Sequence, residues 1–172
     1  MAAKSKSDIS NDAIRIFLQM VGEFYDNSRG FEKFKPSKKQ VLELLNYFDN
    51  KCCYCGVVIN EETYTMDHLI PTNKNNLGLH AWGNVVPCCS KCNKEKHQKN
   101  WEEFLKVKNI DLNNFNKKKQ KIIDFIKSKK YDPTLDLRNI VENLYEDIGE
   151  VAMTLINLRY KQAEELIKGL EK

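Results

Sequence analysis

No stretch of this sequence approaches the roughly 18 consecutive apolar residues of a membrane span. The two lysines of the opening MAAKSKSDISND are not followed by an apolar h-region, so no secretory signal is expected there. No internal repeat and no low-complexity linker interrupts the 172 residues, a length that suits one domain with helical additions. Outside residues 51–100 there is no cysteine and no histidine. All six cysteines fall inside that window, set in close pairs, which points to metal rather than to disulfides. The expected compartment is the cytoplasm, where thiols stay reduced.

The apolar fraction of 41% is enough for a packed core. The net charge of +4 is unevenly spread. From Tyr131 to the end nine acids face five bases, a balance of −4 that leaves +8 on residues 1–130. That basic part holds the cysteine cluster and seven lysines between Lys117 and Lys130. A polyanionic partner fits it, as does a surface kept soluble by lysine.

Residues 1–8 read as polar and frayed. Ser10 or Asn11 is placed to cap a helix through DAIRIFLQMVGEFYDN, whose apolar residues recur at three and four. Ser37 looks like the cap of a second helix, KKQVLELLNYFDN, with Val41, Leu44, Leu45 and Phe48 on one face. Val57, Val58 and Ile59 suggest a short strand. Tyr64 to Leu69 alternates as a strand, PTNKNNLGLHAWG is a loop, and Asn84 to Pro87 is a second strand. Ser90 to Phe104 reads as one helix, which completes a ββα unit. A lysine-rich helix follows around Phe115 to Lys129. The last helix, roughly Leu137 to Leu170, would be on the order of 50 Å long. It either packs along its own domain or meets a second subunit as a homodimer. The expected fold class is therefore α+β: a small ββα core surrounded by helices. Residues 1–50 form an N-terminal helical segment, 51–109 the core and 110–172 a C-terminal helical segment.

Cys52-x-x-Cys55 and Cys89-x-x-Cys92 are two well-spaced knuckles. Four thiolates close a tetrahedral shell, so the ion would be structural Zn²⁺. Cys53 and Cys88 do not fit this spacing and read as buried thiols, with a ligand swap as the alternative. Base deamination on zinc needs H-x-E before P-C-x-x-C. His68, His80 and His97 are followed by Leu-Ile, Ala-Trp and Gln-Lys, which excludes it.

Between the knuckles stands Asp67-His68. After the second come Asn93 and, four residues on, His97, which share one face of a helix. A carboxylate, an amide oxygen and an imidazole can converge there on one divalent ion, with His68 beside it as a general base. Lys91, Lys94, Lys96 and Lys99 lie on or near the same helix and are placed to hold flanking phosphates. His80 reads as a loop-packing or DNA-contact residue outside the catalytic set, and Trp82 as a core or loop anchor.

The pieces KCCYCG, MDHLIP and GNVVPCCSKCNKEKH, in this order and spacing, resemble the HNH (His-Asn-His) endonuclease family with its ββα-metal fold, over about 50 of the 172 residues. The resemblance implies that His68 is the base, that Asp67 ligates the metal, and that Asn84 orients the base or its loop. Asn93 and His97 would complete the metal site. Some members carry histidine at the position of Asn93 and others end differently at His97, so the share between these two is open. The resemblance further implies single-metal hydrolysis of DNA by a restriction- or nicking-like enzyme, with Mg²⁺ as the cation and Mn²⁺ or Ni²⁺ as alternatives. Two other classes stand beside it: a zinc-stapled nucleic-acid-binding module without hydrolysis, and a zinc-dependent protein-interaction domain that uses the acidic long helix. The intact set of Asp67, His68, Asn84 and His97 favours the nuclease. The +8 on residues 1–130 counts against the interaction domain.

Overall fold

In the computed structural model the described residues are 5–170; residues 1–4, half of the stretch expected to fray, lie outside them, as do 171 and 172. The elements in chain order are α1 (Lys6–Ser28), α2 (Lys38–Tyr47), β1 (Tyr64–His68), β2 (Val85–Cys89), α3 (Ser90–Lys96), α4 (Trp101–Lys108), α5 (Leu112–Ser128) and α6 (Arg138–Leu170). The fold is α+β, with one two-stranded antiparallel sheet and six helices among the described residues. None of these helices is long and apolar enough to cross a membrane.

The start of α1 differs from the expectation. Ser5, not Ser10 or Asn11, is the cap. Its hydroxyl accepts from the Asp8 amide at 3.2 Å and the Asp8 carboxylate accepts from the Ser5 amide at 2.9 Å. This reciprocal pair satisfies two amide donors at the helix start, so the chain is already helical from Lys6. Ser10 is instead buried inside the helix, at the point where Gly149 of α6 crosses it. Ser37 does cap α2, accepting from the Gln40 amide.

The strand expected at Val57–Ile59 reduces to one bridge, Lys51 to Val58. Gly56, at φ +82°, closes the first knuckle by donating to the Cys52 carbonyl, and Val58 is left 72% exposed. The single helix expected over Ser90–Phe104 is two helices. α3 stops at Lys96, and His97 takes a φ of 48°. Asn100 then accepts from the amides of Glu102 and Glu103 and starts α4 afresh. A side chain that competes for helix amides is what makes asparagine a better cap than an interior residue.

β1 and β2 pair in a register that runs from Tyr64 opposite Cys89 to His68 opposite Val85. At about 3.4 Å per residue, this ladder separates Cys89 from the His68 end by roughly 14 Å. α3 follows β2 directly and packs back on both strands. One core holds Leu44, Phe48, Tyr54, Val86, Leu105 and Phe125, joining α2, the sheet, α4 and α5. A second holds Ile14, Leu18, Leu79, Tyr131 and Val141, joining α1, the loop before β2 and α6. Trp82 is 3% exposed and donates its indole N–H to the Glu32 carbonyl, so it is an anchor as expected.

α6 runs antiparallel to α1: Tyr145 meets Ser7 and Glu150 meets Lys6, at the first residues of α1. Beyond Glu150 it continues past the start of α1. There Val151, Leu155 and Leu158 are 67, 53 and 51% exposed.

Candidate active site

Asp67 and His68 end β1, and the pleat sends them to opposite faces. Asp67 is 6% exposed. Its Oδ2 accepts from the Tyr54 hydroxyl at 2.5 Å and faces the Lys96 ammonium at 3.1 Å. Burial raises the Asp67 pKa, and the charge of Lys96 with the hydroxyl of Tyr54 acts against that rise.

Lys96 corrects one expectation. It is not a surface lysine for a flanking phosphate: it is 0% exposed and donates to the His68 carbonyl at 2.7 Å as well as to Asp67. It lies three residues after Asn93, on the face of α3 turned to the sheet, where an ammonium can stay charged only beside a carboxylate. The variant Lys96→Ala strands a buried carboxylate and is expected to cost about 3–5 kcal/mol of stability. Urea unfolding checks this, and a loss under about 1 kcal/mol, the range of an exposed pair, would contradict the buried ion pair.

The chain then crosses a loop to β2, and Asn84 organises that loop. Asn84 is 0% exposed; its Oδ1 accepts from the Ile70 amide at 2.8 Å, and its Nδ2 donates to the carbonyls of Ile70 and Leu79 at 3.0 and 2.8 Å. Asn84 therefore fixes both ends of the loop segment that carries His80, without touching the His68 ring. His80 Nδ1 stands 2.9 Å from His68 Nε2, and the two rings are tilted at a centroid separation of 5.2 Å. Phe34 packs edge-on against His80. Burial first, and then the positive charges of His80, Lys96 and Arg15, push the His68 pKa down to about 3. Burial likewise lowers that of His80. His68 is thus a neutral imidazole at neutral pH.

Asn93 projects from α3 and donates to the Met66 carbonyl at 3.3 Å, which leaves its amide oxygen for another partner. His97 is exposed at the end of α3. These side chains meet in one cleft of about 440 Å³, lined by Arg15, Gln19, Asp67, His68, Pro71, Thr72, Asn73, His80, Asn93, His97 and Gln98. The cleft brings together Asp67, His68, Asn93 and His97. It excludes Asn84, which lies behind the loop, and Lys91, Lys94 and Lys99, which are exposed elsewhere. It adds His80, which had been set outside the catalytic residues, and Arg15 and Gln19 from α1. The spacing of α1 and of the loop carries no sign that they meet here.

At the other end of the ladder, the Sγ atoms of Cys52, Cys55, Cys89 and Cys92 all lie within 4.8 Å of one another, and those of Cys55 and Cys89 are 3.8 Å apart. Among the described residues this is the one group of three or more histidine, cysteine, aspartate or glutamate side chains gathered so closely. Burial pushes the Cys52 and Cys92 thiols up. At Cys89 burial acts the same way but is outweighed by the backbone amide and thiol of Cys92 and the thiols of Cys55 and Cys52, and the pKa falls. Four sulfurs this close suit a doubly charged cation, and the cluster fits a zinc site. Cys53 and Cys88 are buried in the core beside it, with the thiol of Cys88 3.3 Å from the Thr65 hydroxyl.

A ββα unit carries a four-cysteine cluster behind it and an Asp-His doublet in a cleft. Residues 52–109 match the family model described as HNH endonuclease, so this segment is similar to that family. The chain is also 31% identical over 70 residues to YoqL, an SPbeta prophage-derived protein of Bacillus subtilis (strain 168) that is named as an HNH endonuclease. That likeness covers 37% of this chain and 30% of the length of YoqL.

Proposed function

We propose that the protein is a metal-dependent endonuclease that hydrolyses phosphodiester bonds in DNA, in the manner of a small restriction or nicking enzyme. The observation that carries this reading is the one cleft that gathers Asp67, His68, Asn93 and His97, with His68 Nε2 held 2.9 Å from His80 Nδ1. When His80 Nδ1 accepts, His68 Nε2 carries the hydrogen of the 2.9 Å contact, and the lone pair on His68 Nδ1 is left for water. His68 then takes the proton of the water that attacks phosphorus. The approaching phosphate is an anion, which moves the low pKa of His68 back toward neutrality and improves it as a base. Asn84 keeps the loop, and so His80, in place during this transfer. Asp67, Asn93 and His97 would hold the cation, and oxygen and imidazole donors suit Mg²⁺, Mn²⁺ or Ni²⁺. A bound divalent cation supplies charge stabilisation for the phosphoryl oxygens and the leaving 3′-oxygen. Cys52, Cys55, Cys89 and Cys92 would hold structural Zn²⁺. Lys91, Lys94 and Lys99 remain candidates for flanking phosphates. Cysteines paired for metal rather than for disulfides fit a cytoplasmic protein.

Supercoiled plasmid tests the reading. Added Mg²⁺ or Mn²⁺ should convert it to nicked or linear DNA, and Asp67→Asn should abolish the response. Plasmid left intact at every cation concentration would overturn the proposal. One observation favours a zinc-stapled binding module instead: the carboxylate of Asp67 is already paired with Lys96. That module would shift plasmid mobility without cutting.

The exposed apolar residues of α6 beyond Glu150 fit a second copy of the chain. Arg159 and Glu165 lie on either side of Gln162, so an antiparallel copy sets opposite charges against each other. Light scattering should give the mass of a homodimer for the full chain and of a monomer for a chain ending at Glu150. A monomeric full chain would exclude this use of α6.

A further inference from the structure

α1 lies outside residues 52–109, yet it walls the cleft. Arg15, Gln19, Gly22 and Asp26 follow one another at four, three and four residues and share one face of the helix. The last two anchor that face. Asp26, 0% exposed, accepts from the Trp82 amide at 3.1 Å and the Phe34 amide at 2.9 Å. Gly22 lies against the backbone of His80, where a Cβ would come within 2.5 Å of the carbonyl oxygen. The helix is thus seated on the loop that carries His80, and its middle turns reach over the cleft.

Arg15 and Gln19 line the cleft from those turns, and both are exposed. Arg15 is the one lysine or arginine in the lining. A cleft that must admit an anion therefore presents a guanidinium with an amide one turn away. Guanidinium offers paired N–H donors at the spacing of two phosphate oxygens, which an ammonium does not.

We propose that Arg15 and Gln19 form a grip for a backbone phosphate of the nucleic-acid strand that enters the cleft, seated by Gly22 and Asp26. This rests on the nuclease reading and adds to it a substrate contact from outside the family segment. The grip makes α1 part of the binding surface and not only a packing element.

The test is binding of a fluorescent DNA duplex by the zinc-loaded full chain with no other divalent cation added, read by anisotropy across a salt series. Arg15→Ala should weaken binding about ten- to a hundredfold. It should also make the slope of log K against log [salt] shallower by about 1. Arg15→Lys should keep the slope and lose part of the affinity, and Gln19→Ala should lose affinity without a change of slope. Arg15 is exposed, so melting temperature and zinc content should not move in any of these variants. Affinity within twofold of wild type and an unchanged slope for Arg15→Ala would overturn the grip alone. No binding by the wild-type chain would also overturn the grip, while the nuclease reading stands or falls separately on plasmid cleavage with added Mg²⁺ or Mn²⁺.

Discussion

Stripping metal from Cys52, Cys55, Cys89 and Cys92 is expected to unfold the ββα core, not merely to silence it. The sheet has only five residue pairs, and a lone two-stranded ribbon is marginal in water. The cluster joins the first knuckle to the junction of β2 and α3, the two places where the core would otherwise open. Structural zinc contributes an apparent ~10–16 kcal/mol, comparable with or above the whole stability of a domain at ~5–15 kcal/mol. A chelator strong enough to remove it should collapse the thermal melt and reduce far-ultraviolet ellipticity. Cys89→Ser and Cys92→Ser should do the same without chelator. Cys53→Ala and Cys88→Ala remove thiols that lie beside the cluster and should leave one zinc per chain. A chelated protein that melts as before would refute the structural role, and loss of zinc from Cys53→Ala would reassign the ligands.

The second large effect concerns the base. His68→Ala should slow cleavage by roughly 10²–10⁴ fold, the contribution of a positioned proton acceptor. Zinc content should be unchanged, because the His68 end of the ladder lies roughly 14 Å from Cys89. His80→Ala should lose part of the same factor, since the His68 ring is then free to turn and to change tautomer. In His80→Asn, an amide oxygen stands where Nδ1 does and can keep the acceptor, so activity should be largely retained. Equal losses in His80→Ala and His80→Asn would show that His80 serves packing against Phe34 rather than the His68 ring.

Much of this arrangement was legible in the sequence because its signals are local. Two C-x-x-C turns set thiolates at a spacing that few other functions need, and all four sulfurs gather. Alternation at Tyr64–His68 and the apolar run before Cys88 give the ladder. What was not legible depends on contacts far apart in the chain. Lys96 on a lysine-rich helix reads as solvated, and only the placement of Asp67 turns it inward. His80 looks like an ordinary loop residue until Asn84 draws its loop across the strand ends and sets the ring against His68. Arg15 looks like a solvent-facing residue on an amphipathic helix, and it enters the site only because Gly22 lets the helix sit on the loop. The break at His97 was missed because the cap that restarts the helix, Asn100, lies inside an otherwise helical pattern.

In the proposed nuclease two interleaved sets of residues divide the work, four cysteines to hold the frame and His68 with its neighbours to cut the strand. The most direct measurement is single-turnover cleavage of a labelled DNA duplex by zinc-loaded wild type and His68→Ala, with and without added Mg²⁺ or Mn²⁺. Cation-dependent cleavage is expected from the wild type, with a rate at least about a hundredfold lower for the variant at the same zinc content. Equal rates for the two proteins, or an intact duplex with both, would contradict this division of work.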